Sequence, residues 1–210
     1  PNWWTNQCVW VDTNGWLHLQ VKYIGTNWFC GEVQTTNALG YGEYRWYVAN
    51  RVDDLDTNAV GGLFTYQYVP GGDNEIDFEF TKSFTDDPAT NLHYTIQPYY
   101  ASGHQYQKAM ALTNENTTHR FVWNPGYIRW DSWYGHTPAP PDDYRIGSWT
   151  YASNDVPVHS NEHCFINLWM FLGLSPVETS SNKLQMIVKD FAFTPSTNTL
   201  LADEFADAAM

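Results

Sequence analysis

The chain has 210 residues, 43% hydrophobic and 16% charged, with a formal net charge of −13. That size and apolar content suit one domain with a substantial core and exclude a disordered chain, and no apolar run approaches the length of about eighteen residues that a membrane span needs. The acidic balance argues against nucleic acid, an anionic membrane surface or an anionic substrate as partner, because each needs a basic face.

In chain order, period-two runs bounded by turn signals recur throughout. The turn Asp12-Thr13-Asn14-Gly15 leads into Trp16 to Val21. Runs from Glu43 to Val48, Gly62 to Tyr68, Glu75 to Phe80 and Leu92 to Gln97 follow, then Arg120 to Trp123, Ile128 to Trp130, Cys164 to Leu172 and Leu184 to Phe193. Many short strands at this spacing predict an all-β sandwich or barrel without an internal linker. The tail from Leu200 to Met210 fits either a short helix or a frayed terminus. The chain begins with Pro1 and carries no leader, so it reads as a processed or trimmed piece.

The aromatic side chains, 11 Trp, 14 Tyr and 11 Phe, exceed what a core alone suggests. Flat rings also suit stacking on sugar faces. Trp3, Trp4 and Trp28 fit either the ends of such a groove or the edge of the sandwich. Asp53-Asp54-Leu55-Asp56 reads as a solvated loop. Three cysteines permit at most one internal bridge, with Cys8 and Cys30 the candidates and Cys164 a buried free thiol. None has zinc-site spacing.

The most telling segment is Asn74-Glu75-Ile76-Asp77-Phe78-Glu79-Phe80. As a strand it puts Glu75, Asp77 and Glu79 on one face and Ile76, Phe78 and Phe80 on the other. A half-buried strand with a solvated acidic face is one reading. The other is a carboxylate set for glycoside cleavage, with Glu75 as nucleophile, Glu79 as acid/base and Asp77 between them to orient and tune Glu75. Close carboxylates do not all ionise together, so one stays protonated. Positions four apart on a strand are about 13 Å apart at Cα, so the two Glu side chains must lean together for a retaining reaction.

At this strand the chain resembles glycoside hydrolase family 16, whose hallmark is E-x-D-x-E in its unbulged form. Other segments resemble the family in the same order: Phe29-Cys30-Gly31-Glu32-Val33, Leu39 to Arg45 with its Gly-Tyr-Gly turn, Gly62 to Tyr66, His119 to Ile128, Ile166-Asn167-Leu168-Trp169, and Asp190-Phe191. The resemblance covers about residues 8 to 195. It implies a β-jelly roll of two curved antiparallel sheets, forming a single catalytic domain over 1–195 with 196–210 as tail. It implies a retaining endo-β-glycanase acting on a linear β-glycan, a β-1,3 or mixed-linkage β-1,3-1,4 glucan. A transglycosylase with the same acids and a non-catalytic glycan-binding module are the alternatives. Substrate-binding positions implied by the motifs are Glu32, Phe64, Tyr66, His93, Thr95, Gln97, Asn167 and Trp169. Each has a plainer reading as core or surface, and apart from the resemblance His93 reads as a satisfied strand histidine. No cofactor is expected. Asp190 is the one candidate for a structural calcium. A monomer, secreted or periplasmic, is expected. The chain departs from lichenases at Asp73-Asn74, at Gln34 and at Met170 to Gly173. These positions bear on linkage choice and leave the three acids untouched.

Overall fold

The computed structural model describes residues 1–69 and 72–197. Fifteen strands lie among the described residues: β1 (Trp3–Trp4), β2 (Val9–Val11), β3 (Leu17–Gln20), β4 (Lys22–Ile24), β5 (Asn27–Gln34), β6 (Gly42–Val48), β7 (Ala59–Val69), β8 (Gly72–Phe80), β9 (Thr90–Ile96), β10 (Gln105–Ala109), β11 (Thr117–Asn124), β12 (Tyr127–Tyr134), β13 (Arg145–Ala152), β14 (His163–Met170) and β15 (Gln185–Pro195). They form two sheets. One runs β1-β5-β14-β7-β8-β9-β10, with β4 also on β5, and the other runs β13-β12-β11-β6-β15-β3-β2. The pairing is antiparallel except for β1 on β5. This is the two-sheet architecture expected from the strand spacing. The predicted tail helix lies outside the described residues. No helix among them is long and apolar enough to cross a membrane.

Local chemistry sets the turns. Asp12 accepts from the backbone N–H groups of Asn14 and Trp16 at 2.8 and 2.9 Å. Gly126 takes a φ of +80° in the tight link between Asn124 and Tyr127, a conformation that favours glycine. The run predicted from Cys164 to Leu172 stops as a strand at Met170, where the backbone turns through Phe171–Gly173.

The core lies between the sheets. Ile76, Phe78 and Phe80 of β8 are buried there, as the alternation requires. Phe78 meets Trp46 of β6 and Tyr94 of β9 edge-on, with centroids 6.0 and 5.1 Å away. Trp130, buried on β12, donates its indole N–H to the Asp77 carbonyl at 3.1 Å. The opposite sheet thereby holds the middle of the acidic strand in place.

Two sequence expectations are corrected here. Asp53-Asp54-Leu55-Asp56 is not a solvated loop. Asp56 is fully buried and accepts from the N–H groups of Asn58, Val177 and Glu178, while Asp53 pairs with Arg51 and accepts from Leu112 N–H. The buried carboxylates replace backbone acceptors that these loops lack. Cys8 and Cys30 do not form a bridge: all three cysteines are buried free thiols, as Cys164 was expected to be. Cys8 Sγ donates to the Phe29 carbonyl and Cys30 Sγ to Asn2.

Candidate active site

The acidic face of β8 opens onto a cleft of about 450 Å³ lined by Glu75 and Glu79. Asp77, between them, is 2% exposed. Register then decides what surrounds the acids. On β7, Tyr66 lies opposite Glu75, Phe64 opposite Asp77 and Gly62 opposite Glu79. On β9, Thr95 lies opposite Asp77 and His93 opposite Glu79. Gln97 follows, its N–H donating to the Glu75 carbonyl at 3.1 Å. Further out, β14 sets Phe165 beside Phe64 and Asn167 beside Gly62, and β5 sets Glu32 beside Asn167. One sheet face therefore carries the whole predicted set.

The members differ in what they are free to do. Gln97 and Trp169 line the cleft itself. Phe64 stacks on Phe165 at 5.2 Å. Tyr66 is half-buried and meets Phe165 edge-on. Asn167 donates to Glu32 at 3.1 Å, and Glu32 is exposed. Gly62 leaves space for that amide: a Cβ there would stand 2.5 Å from Asn167 Oδ1. His93 is fully buried, its Nε2 bonded to the Thr81 carbonyl at 3.1 Å, so its ring does not reach the cleft. Trp28 lines a separate cavity with Tyr23 and Leu184, and Trp3 and Trp4 stand exposed on β1. Asp190 accepts from the Phe191 N–H and belongs to no group of three or more metal-ligating side chains among the described residues.

Ser83, Phe84, Tyr99 and Gln105 also line the cleft, and sequence reasoning assigned none of them; Phe171, in the segment set apart as bearing on linkage choice, lines it too. Gln105 pairs opposite Thr95 on β10. Its signal is the weak alternation of Gln-Tyr-Gln-Lys-Ala, too polar to stand out as a strand.

The electrostatics follow from burial. Among the described residues no Lys or Arg lines the cleft. Burial pushes Glu79 up to about 8, the Glu75 charge adds to this, and a hydrogen bond from the Thr95 hydroxyl at 3.4 Å partly offsets it. Burial likewise pushes Asp77 well up, with the charges of Glu75 and Glu79 acting in the same direction. Burial lowers His93, which keeps it neutral beside the acids. At neutral pH, then, Glu79 holds its proton, and the pull on Asp77 is in the same direction. A carboxyl held protonated beside a second acid suits a reaction that needs both a proton donor and a nucleophile.

No family model matches the chain. A beta-glucanase of Paenibacillus polymyxa is 29% identical over 160 residues, covering 68% of this chain and 64% of that protein. The chain thus spans less than two thirds of the length of that curated relative. Among solved structures, a beta-glucanase of Bacillus licheniformis superposes with a TM-score of 0.66 at 18% identity, covering 92% of this chain and 85% of its own. A beta-1,3-1,4-glucanase (lichenase) from a mouse hindgut metagenome gives 0.62 at 19% identity, with 92% and 86% covered. The chain has the jelly-roll fold of these proteins. The resemblance to lichenase-like members of glycoside hydrolase family 16, carried by its motifs, extends to the sequence of a beta-glucanase and to the fold.

Proposed function

We propose that this chain is a retaining endo-β-glucanase acting on a neutral β-1,3 or mixed-linkage β-1,3-1,4 glucan. The observation that carries the reading is the row Glu75-Asp77-Glu79 on one strand face at the cleft, with Glu79 held protonated, Asp77 pushed the same way, and no cation among the described lining residues. The likeness to beta-glucanases in sequence supports the substrate class. The described lining residues include no Lys or Arg, which favours a neutral polymer over a sulfated one, since a sulfate ester needs a cationic partner.

In the first step the Glu75 carboxylate attacks the anomeric carbon as Glu79 gives its proton to the glycosidic oxygen. The C–O bond breaks, the shortened chain leaves as an alcohol, and a glycosyl ester forms on Glu75. In the second step Glu79, now a carboxylate, takes a proton from water. The water oxygen bonds to the anomeric carbon and Glu75 is released. Two inversions retain configuration. Asp77, buried between the two with its pKa pushed up, orients Glu75. Trp169, in the cleft, offers a ring for a sugar face, while Asn167 and Glu32 offer polar contacts. The chain acts outside the cytoplasm on polymeric glucan, as a monomer.

The test is reducing-end release from mixed-linkage glucan, laminarin, xyloglucan, agar and carrageenan, with Glu75→Gln beside the wild type. Release from a neutral glucan, lost in the variant, supports the reading. Release that survives in the variant removes Glu75 as nucleophile. Binding without release by the wild type makes the chain a glycan-binding module.

A further inference from the structure

Phe84 and Phe171 have no part in the steps above, yet both line the cleft beside Glu79. Their rings meet edge-on, with centroids 5.5 Å apart. Phe84 in turn meets His93 edge-on at 5.2 Å, and His93 lies opposite Glu79 across β8 and β9. A continuous run of rings thus leads from the turn after β14 to the strand position beside Glu79.

The turn that supplies Phe171 is unusual. Phe171 N–H donates to the Asn58 carbonyl at 2.7 Å, and Leu174 N–H returns to the Phe171 carbonyl at 3.0 Å. Between them Leu172 has a φ of +55° and Gly173 one of +72°. Leucine in the left-handed region costs about 1–2 kcal/mol. Leu172 is itself 75% exposed, so its own packing does not repay that strain. What the turn achieves is to set Phe171 against Phe84 at the cleft.

We propose that Phe84 and Phe171 are positioning residues: an apolar wall that keeps water from Glu79 and so keeps its proton available to the leaving oxygen. The proposal rests on the reading of Glu79 as the acid. The physical basis is that a carboxylate denied water is a poor anion, so the carboxylic acid persists to higher pH. Burial is the leading cause of Glu79's raised pKa, ahead of the Glu75 charge. The titratable groups facing Glu79 are Glu75 and Asp77 on its own strand and His93 on β9. From the other side β7 and β14 present Gly62, Asn167 and Trp169, with Glu32 of β5 beyond Asn167. None is a cation that would draw the proton off.

The experiment is a 13C-carboxyl NMR titration of the unliganded chain, paired with the pH profile of kcat/KM on β-glucan. It compares wild type, Phe84→Ala/Phe171→Ala and Phe84→Leu/Phe171→Leu. In the alanine pair the Glu79 midpoint and the alkaline limb are expected to fall together by about one pH unit or more. The leucine pair, which restores apolar cover, keeps both near wild type. Should the alanine pair fail to fold, Phe171→Ala alone, at a half-exposed turn, gives the same shift at smaller size. A Glu79 midpoint unchanged in a folded alanine variant overturns the wall, whatever happens to its melting temperature. If the midpoint falls but the wild type cleaves no glucan, the wall stands and the glycanase reading fails.

Discussion

Replacing Glu79 by Gln is expected to make the protein more stable as it becomes less active. Burial raises the Glu79 carboxyl from its ordinary 4.5 to about 8. A carboxyl whose pKa rises on folding binds its proton more tightly in the folded state. Stability from this group is therefore highest below pH 4.5 and is lost as pH rises towards 8. Between pH 5 and pH 7 the penalty grows by about 1.36 kcal/mol per pH unit, or about 2.5 kcal/mol in all. Glutamine has nearly the same shape and no proton to lose, so the variant escapes that penalty. For a chain of this length the difference corresponds to about 5–10 °C in melting temperature. The assay is urea or thermal unfolding of both proteins at pH 5 and pH 7. The stability gap, variant minus wild type, should widen by about 2–3 kcal/mol between the two pH values. Taking the gap cancels every titrating group that does not interact with Glu79, which leaves only its neighbours Glu75 and Asp77. Hydrolysis of polymer should meanwhile fall by about 10²–10⁴-fold, with an activated aryl glycoside losing much less because its leaving group needs little protonation. A gap equal at both pH values would mean that Glu79 titrates in the ordinary range, and the acid assignment would go with it.

Other sites give independent checks. Asp131 is paired with Arg120 and Arg145 at 2.7 Å and with Arg129 at 3.1 Å. Burial pushes its carboxyl up, but hydrogen bonds from Arg129, Arg120 and Ser148 outweigh burial and leave it below its ordinary value. Asp131→Asn should therefore cost about 2–4 kcal/mol at neutral pH by urea unfolding, and the deficit should vanish as pH falls below about 4 and the wild-type carboxyl protonates. Gly62→Ala would put a Cβ 2.5 Å from Asn167 Oδ1 and 3.3 Å from the Phe64 ring. The Asn167–Glu32 bond must then break, with a loss of about 1–3 kcal/mol and weaker glucan binding, read by unfolding and by KM; an unchanged KM would remove Asn167 from the substrate contacts. Leu172→Gly relieves the left-handed strain and should raise stability by up to about 1 kcal/mol, measured by thermal unfolding; a clear loss would mean that the turn is not strained.

The acidic row was legible because its geometry is local. Strand alternation alone puts Glu75, Asp77 and Glu79 on one face and Phe78 on the other, and no distant contact can change that parity. The sandwich was legible for a related reason: each turn is punctuated by residues such as Gly15 and Gly126 whose backbone preferences act within a few positions. Neighbours across strands were beyond local reach. That Glu79 faces His93 and Gly62, or that Asn167 meets Glu32, depends on register between segments dozens of residues apart, and the family resemblance, rather than local pattern, proposed those groove positions. Phe84, Tyr99 and Gln105 escaped notice because loops and a polar strand bring them to the cleft, and nothing in their immediate surroundings distinguishes them; Phe171 was set apart only through the departure from lichenases at Met170 to Gly173. Burial of Asp53 and Asp56 was hidden for the same reason, since the backbone donors they satisfy include Leu112, Val177 and Glu178, far along the chain. The raised pKa values of Asp77 and Glu79 belong to the folded molecule altogether. Charge spacing is written in the strand, but the burial that raises them comes from packing β7, β9 and the surrounding loops around them.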